Sequence, residues 1–414
     1  MLLETKLPSP EMSLSTLKFI RLPGLVSGSI LLAIIVGQLI KLPLGGSGGP
    51  AVLDMVVLLL DAILLFRYKF KFPKPPIFVK PAAVFIIIAI ISLLNSPLNL
   101  TNTERLVGFF YTVRFSSIIL LGWLLVIPKK AGIQNMLLLS GVILSILGLL
   151  QFIFIPDLGF LAPAGWDYHY FRTVSTFLDP NFLGAYLVLT LLLFSSLRDH
   201  EMAKQSFKWT RLPRRLRLLA MTTVYLALLT TFSRGSYLAF LVAFLTLSIL
   251  KKSLKLGIIT ILLFALLMIS FMAYHRGIAE PRGVDRGQSA EARLDTWQQG
   301  LQMFLQQPIL GVGFNVYRVA LKEYQLSDEG FLTSHGAGSN DSSLLFVAAT
   351  TGIIGFIAYC FFLASIAWQG FKKNLILLAG LIGLLAQSFF ANTLFYPYIL
   401  LWLVLNLCYH EEHE

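Results

Sequence analysis

An arginine inside a long apolar stretch is the first candidate for chemistry in this sequence. Residues 218–250 contain one charged side chain, that of Arg234, within the segment TFSRGSY. Basic residues flank the stretch, with Arg217 before it and Lys251 after it. This pattern predicts two membrane crossings joined by a turn on the outer side, where Arg234 lies. A guanidinium there suits phosphate recognition, although its side chain could instead snorkel to lipid headgroups.

Arginine dominates the basic residues on that outer side. Eleven Lys and Arg lie outside the basic inner loops, and nine of them are arginines. Arg172 lies in one long outer connection, 156–181, and Arg293 lies in a second one, 275–342. The alternative to anion binding is that the scattered outer arginines pair with the acidic residues of the second connection.

The second connection contains the pattern of an amphipathic helix, SAEARLDTWQQGLQMFLQQP. Ser289 can cap this helix, and Pro308 ends it. One face carries side chains spaced i, i+4, i+7, i+8 and i+11, namely Arg293, Trp297, Gly300, Leu301 and Phe304. Such a helix can lie on a bilayer with its arginine directed at a headgroup or a pyrophosphate. Alternatively, Arg293 closes a salt bridge with Glu291 or Asp295.

Residues that can exchange a proton follow in the segment SHGAGSNDSSLLF. His335 precedes a flexible Gly-Ala-Gly segment at the entrance of a predicted helix, and Asp341 lies close to the start of that helix. A histidine or a carboxylate beside a reacting hydroxyl can act as a general base. The alternative is that Asn340 or Asp341 caps the helix, which is expected to begin near Ser342.

The same choice between capping and chemistry applies to the segment DPN. Asp179 can cap a helix whose first residue is the proline, and Asn181 follows it. The sixth, eighth and tenth predicted helices all begin on the outer side, so their N-termini present the positive ends of helix dipoles there. We therefore expect one polyanion to be bound by a convergent set of side chains, namely Arg172, Arg234, Arg293 and His335.

Composition indicates what kind of protein positions these groups. The chain has 414 residues, of which 56% are hydrophobic and 13% charged, and its mean hydropathy is +0.76. Because soluble domains are about one quarter charged, we expect an all-α polytopic membrane protein. It should form one integral membrane domain, 1–414, with 275–342 as an outer loop subdomain. Twelve transmembrane helices are predicted at 22–40, 51–66, 81–94, 106–127, 133–155, 182–197, 218–233, 236–250, 256–274, 343–367, 375–391 and 397–409.

The net charge of +12 follows membrane topology and does not indicate a nucleic-acid partner. The N-terminal segment and the inner loops hold 22 of the 33 Lys and Arg, which predicts that both termini are cytoplasmic. These loops are 67–80, 128–130, 198–217, 251–255 and 371–373. They are expected to contact anionic membrane lipids. Cys360 and Cys408 lie in apolar runs and predict neither a disulfide nor a metal site.

Four segments, in order along the chain, resemble the O-antigen ligase/polymerase family of bacterial surface polysaccharide assembly. They are STFLDPNFLGAYL, TFSRGSYLAF, the R…W…PILGVGFNVY block and NDSSLLFVAATTGIIGF, and they run from about Arg172 to Ile357. The family's layout of twelve helices, with a large periplasmic loop between the ninth and tenth, is similar to the pattern predicted here.

The resemblance implies a C-type (GT-C) glycosyltransferase fold in the bacterial cytoplasmic membrane, with its active site on the periplasmic or extracellular side. It implies transfer of a polyprenyl-pyrophosphate-linked glycan to an acceptor hydroxyl, with inversion, no metal and no cofactor. Carried onto this sequence, the donor pyrophosphate would be held by Arg234 and Arg293, with Arg172 as a third arginine. Supporting roles would fall to Asn181, Asn340 and Trp297.

The general base and the acceptor stay open. The family commonly has a histidine immediately before the asparagine at the start of the late helix, where this chain has Ser339. The base would then be His335 or Asp341, unless no side chain acts as a strong base. A lipid A core sugar would make the chain a ligase, and a second lipid-linked repeat unit would make it a polymerase.

Two readings without transfer chemistry compete with the enzyme. One is a twelve-helix secondary transporter, with membrane-embedded charges at Asp54, Asp61 and Arg114, in which Arg114 pairs with either aspartate. The other is a protein that binds a lipid-linked glycan without catalysis.

Overall fold

A computed structural model describes residues 14–42, 49–126, 132–196, 213–282 and 288–408. The regular elements in these ranges are helices, without strands. The α-helices are α1 (Leu14–Val36), α2 (Val52–Arg67), α3 (Val79–Leu94), α4 (Asn102–Leu124), α5 (Ile133–Phe154), α6 (Pro180–Ser196), α7 (Arg214–Thr230), α8 (Arg234–Leu250), α9 (Leu254–Tyr274), α10 (Gln288–Gln306), α11 (Tyr317–Glu323), α12 (Glu329–Thr333), α13 (Ser343–Lys373), α14 (Leu375–Gln387) and α15 (Pro397–Cys408).

The helical fold predicted from hydropathy is confirmed. Helices α1–α9 and α13–α15 overlie the predicted spans, while α10–α12 lie in the predicted outer loop. Within the described ranges, four helical segments are long and apolar enough to cross a membrane, namely Asn102–Leu124, Ile133–Phe154, Leu254–Ala279 and Gly336–Lys373. The full number of crossings and the GT-C class stay predictions. Several predicted features lie outside the described residues: both termini, loop 128–130, most of loop 198–217, Arg286, and the side chains of Arg282 and Ser289.

The burial of side chains distinguishes a central helix, α15, from a peripheral helix, α9. Every described side chain of α15 is buried, including that of Trp402, so this helix lies at the centre of the bundle. Helix α9 instead exposes apolar side chains such as Leu262 and Ile269, which are 65% and 63% exposed. An apolar face without protein contacts suits lipid, in which it has no hydrophobic penalty.

Helix α13 is broken at Gly352, where φ is +63° and ψ is −167°. A break leaves backbone groups that need partners inside the bundle. The outer-loop segment 308–313 supplies them through Ile353 N–H to Pro308 O at 2.8 Å, Val312 N–H to Ala349 O at 3.0 Å and Gly313 N–H to Thr350 O at 3.1 Å. A Cβ on Gly352 would clash with the carbonyl of Ile309, so this approach requires glycine.

The intramembrane charges bind protein groups. Arg114 forms a bidentate ion pair with Asp54, with Nε to Oδ1 at 2.7 Å and Nη2 to Oδ2 at 2.6 Å. Of the two predicted partners, Asp54 is therefore the one that pairs with Arg114. Asp61 is buried and accepts a hydrogen bond from Ser117 Oγ at 2.8 Å.

Candidate active site

The turn between α7 and α8 presents Arg234 to the exterior. Ser233 caps α8, its Oγ accepting the N–H of Ser236 at 3.3 Å. The Arg234 side chain is exposed, and its Cζ lies 5.8 Å from the ring centroid of Phe271 on α9. The predicted position at the turn is confirmed.

Asn181 fixes the start of α8 against two other helices. Its Oδ1 accepts a hydrogen bond from Ser233 Oγ at 2.7 Å. Its backbone carbonyl accepts from Ser236 Oγ at 3.0 Å and from Gln387 Nε2 at 2.8 Å. The ends of α6, α8 and α14 are thereby joined beside Arg234. Asn181 acts through this contact, as a supporting residue.

Arg172 binds the same turn between α7 and α8 from the protein interior. Its side chain is 6% exposed, with Nε donating to Thr231 O at 2.9 Å and Nη2 to Phe232 O at 3.4 Å. These carbonyls end α7 and would otherwise lack helical partners. Arg172 therefore stabilises the turn that carries Arg234, which a sequence pattern alone did not indicate.

Arg293 lies on α10 near Asp341, and the two side chains interact electrostatically. Asp341 Oδ2 accepts a hydrogen bond from Thr296 Oγ1 at 3.3 Å. Neither Glu291 nor Asp295 lies within 4.0 Å of the Arg293 guanidinium. The alternative of a local salt bridge is therefore wrong.

The buried face of α10 differs in part from the predicted face. Thr296 and Met303 are buried, together with the predicted Gly300, whereas Leu301 is 49% exposed. Trp297 is half-buried, and its Nε1 donates to Phe389 O at 2.9 Å. The exposed apolar residues form a stripe, namely Leu294, Leu301 and Leu305. The helix thus has one face against α13 and a second apolar stripe that suits a bilayer surface.

The caps at the late helix also differ from expectation. Ser342 caps α13, its Oγ accepting the N–H of Leu345 at 3.4 Å. Asn340 instead donates from Nδ2 to Thr296 O and to Tyr317 Oη, the latter at 2.9 Å. It therefore ties α10 and α11 to the start of α13. Asn340 Oδ1 also accepts the N–H of Ser342 at 2.8 Å, just before the helix. The N-cap itself is Ser342 and not Asn340 or Asp341, since the helix begins at Ser343.

His335 is held by the loop at Gly165 and Trp166. Its Nδ1 lies 2.6 Å from Gly165 O, and its ring stacks on Trp166 with centroids 4.5 Å apart and planes 18° apart. A carbonyl can only accept, so Nδ1 carries the proton and Nε2 carries the lone pair. This tautomer is the one a general base needs at Nε2.

Three carboxyls lie among these basic groups. Asp179 caps α6 as predicted, accepting the N–H of Asn181 at 2.6 Å. Burial raises the pKa of Asp167, against the opposing charges of His335 and Arg172. Burial also raises the pKa of Asp179, and the nearby Asp167 raises it further. Both carboxyls therefore keep their protons to higher pH than usual, which reduces repulsion of a bound anion.

A cavity of about 230 Å³ lies beside His335. Its walls include Lys41, Arg114, Trp166, His335, Ser339 and Asn392. A groove of about 1020 Å³ between α4 and α11–α12 shares four lining residues with it, namely Gly49, Tyr111, Asn315 and Gly338. His335 thus faces the same space as Ser339, the position before Asn340. Among the described residues, no group of three or more His, Cys, Asp or Glu is arranged to hold a metal ion.

Comparison with models of known families matches residues 218–360 to the family described as O-antigen ligase. This segment, 143 of the 414 residues, is similar to that family. The predicted resemblance is confirmed for this segment, and the apolar helices are those of a membrane protein. No curated protein matches the chain significantly.

The matched part of the chain includes Arg234, Arg293, His335 and Asp341. Arg172 and Asn181 precede it, so their placement rests on the structure alone. Sequence reasoning missed Trp166, Asp167 and Lys41, which surround His335 or Arg172. A weak signal existed for Lys41, because it is one of only two lysines predicted on the outer side.

Proposed function

We propose that this protein joins a polyprenyl-pyrophosphate-linked glycan to an acceptor hydroxyl on the outer face of the bacterial cytoplasmic membrane. One observation carries the proposal. A histidine lies near the buried Asp167, an arginine without a local salt bridge lies near the buried Asp341, and the histidine lines a cavity. A nucleophilic displacement of a pyrophosphate needs this combination of a base and a fixed cation.

The donor pyrophosphate binds to Arg234 and Arg293 in this proposal. Both guanidinium groups lie on elements tied to the bundle, through Asn181 for α8 and through Asn340 for α10. Negative charge grows on the leaving oxygen as the bond to the anomeric carbon breaks. Fixed guanidinium groups stabilise that charge more strongly than they stabilise the ground state. Arg172 contributes by positioning the turn of Arg234.

His335 is the proposed general base. Its Nε2 accepts the proton of the acceptor hydroxyl while that oxygen forms a bond to the anomeric carbon. The bond from this carbon to the pyrophosphate oxygen breaks in the same step, and its electron pair leaves with polyprenyl pyrophosphate. Attack opposite the leaving group inverts the anomeric centre. No metal takes part in this scheme. Asp341 faces Arg293 and remains the alternative base.

The acceptor reaches the cavity through the groove between α4 and α11–α12 in this proposal. Its wall is apolar at Leu106, Phe110 and Leu332, and it carries two basic residues, Arg318 and Lys322, and two acidic ones, Glu104 and Glu329. Apolar and charged surface together suit an amphipathic lipid-linked acceptor. Both a lipid A core and a lipid-linked repeat unit meet that description.

Release of free polyprenyl pyrophosphate by the purified protein in nanodiscs tests the proposal. The donor is a polyprenyl-pyrophosphate oligosaccharide, compared across wild type, Arg293→Ala, Arg234→Ala, His335→Gln and Asp341→Asn. We expect turnover in wild type and its loss in both arginine variants and in His335→Gln. Loss in Asp341→Asn with turnover retained in His335→Gln would assign the base to Asp341.

The products separate the two family activities and the main rival. Chains lengthened by repeat units indicate a polymerase, whereas transfer only to an added acceptor indicates a ligase. Absence of release with varied donors and acceptors, together with unchanged donor binding by Arg234→Ala, would refute the enzyme. Transport assays across proteoliposomes would then test the secondary transporter.

A further inference from the structure

The cavity beside His335 contains a cation that protein groups leave largely uncompensated. Lys41 Nζ lies 4.3 Å from the ring centroid of Trp166. In the described part of the chain, no carboxylate lies within 4.0 Å of this ammonium. Asp54 is near enough to interact electrostatically with Lys41, yet both of its oxygens accept hydrogen bonds from Arg114. Lys41 is therefore the cation available to a ligand in this space.

Polar and aromatic side chains complete the wall of the cavity around Lys41, among them Asn392, Trp166 and Ser339. An anion for Lys41 is the group that the cavity lacks.

The size of the cavity limits the ligand. At roughly 30 Å³ per water molecule, its 230 Å³ holds about seven waters, which is the scale of one sugar ring. Trp166 lies between His335 and Lys41, with His335 stacked on its ring and the Lys41 ammonium over it. A sugar bound at Lys41 therefore lies in the cavity that His335 also lines, across the Trp166 ring from the proposed base. The groove between α4 and α11–α12 shares lining residues with this cavity.

We propose that this cavity binds one sugar residue of the acceptor glycan, and that this sugar carries a carboxylate, as a uronic acid does. The carboxylate contacts the Lys41 ammonium. Burial lowers the pKa of Lys41 to about 8, so the side chain remains mostly charged at neutral pH. The assignment to the acceptor rests on the proposed function, whereas the binding of an acidic sugar does not.

Binding of two matched small sugars tests the inference without requiring turnover. Methyl β-D-glucuronide and methyl β-D-glucoside differ at the carboxylate and are titrated onto the full chain in nanodiscs by saturation-transfer NMR. We expect wild type to prefer the glucuronide by about tenfold. The preference should disappear in Lys41→Met and persist within about threefold in Lys41→Arg.

Lys372→Met is the matched control, because Lys372 Nζ lies 4.5 Å from the ring centroid of Trp368 and thus makes a similar contact elsewhere. It should keep the full preference. Equal binding of the two sugars, or a preference that survives Lys41→Met, would overturn the inference. Binding of glucose 6-phosphate without binding of the glucuronide would overturn the assignment of a carboxylate.

The outcome is distinguishable from failure of the proposed function. A glucuronide preference without release of polyprenyl pyrophosphate supports the sugar site and contradicts glycan transfer. Release without any preference supports transfer and contradicts the sugar site. With both present, acidic acceptors should show a lower KM than their carboxyl-reduced forms, and Lys41→Met should remove that difference with little change in kcat.

Discussion

Replacing Arg293 by alanine should lower turnover and leave stability nearly unchanged, whereas replacing Arg172 should lower stability. Arg293 has no ion-pair partner within 4.0 Å in the described ranges, so its removal should change the free energy of unfolding by only about 0.5 kcal/mol. Arg172 is 6% exposed and donates to two carbonyls. Hydrogen bonds of a charged group contribute about 1.5–3 kcal/mol each. Since the Nη2 bond is long, we expect Arg172→Ala to cost about 3 kcal/mol.

The loss of catalysis should be larger for Arg293→Ala than for Arg172→Ala, which is the reverse of their order in stability. Loss of one preorganised donor to a transition-state oxyanion typically costs about 10²–10³ in kcat, and we expect this range for Arg293→Ala. Release of polyprenyl pyrophosphate gives kcat, and thermal unfolding in nanodiscs gives stability for the same samples. Arg293→Lys should recover part of the rate, because it restores the charge without the planar fork.

Two results would refute this reasoning. If Arg293→Ala unfolded at a temperature far below wild type, the side chain would have a structural role that its contacts do not indicate. If Arg172→Ala kept its stability but lost turnover, Arg172 would contact the donor directly, and the turn of Arg234 would not need it.

Three further predictions concern the framework. Gly352→Ala should destabilise the protein by about 3 kcal/mol or more in thermal unfolding. The φ of +63° at Gly352 and its contact with segment 308–313 exclude a side chain. Gly28→Ala is the control, because no atom lies within 4 Å of the position that a Cβ on Gly28 would take. Asp54→Asn and Arg114→Met should each cost about 3–5 kcal/mol, and the double variant less than their sum. The preference for the glucuronide should fall as pH rises through about 8, because the Lys41 side chain then loses its charge. The charged groups that face Lys41 are Arg114 and Asp54, and His335 lies beyond Trp166.

Hydropathy predicted the helices well because the tendency of a segment to leave water depends only on the residues of that segment. Runs of apolar residues between basic loops therefore predicted the spans that α1–α9 and α13–α15 overlie. The same argument placed Arg234 at the turn before α8, since charge on both flanks fixes the direction of a hairpin. The amphipathic helix of the outer loop was also evident from its period.

Contacts between distant segments were not accessible in this way. Arg172 had the composition of an anion ligand, but its partners are carbonyls about sixty residues later in the chain. The helical period of α10 predicted that one face is buried, but not which side chains on the helix belong to that face. Leu301 is exposed because Asn340 contacts the face that carries Thr296. The stack of Lys41, Trp166 and His335 joins three segments that share no local pattern.

The junction between segment 308–313 and the break in α13 has a consequence for the order of membrane insertion. The backbone partners of Pro308, Val312 and Gly313 lie some forty residues further along the chain. Ser92 on α3 adds its hydroxyl to the carbonyls of Leu310 and Thr350, each at 2.6 Å. The outer loop therefore emerges before the helix that orders it has been synthesised. Its base closes only once α13 has entered the bilayer beside α3, so the region around Arg293 and His335 matures late in biogenesis.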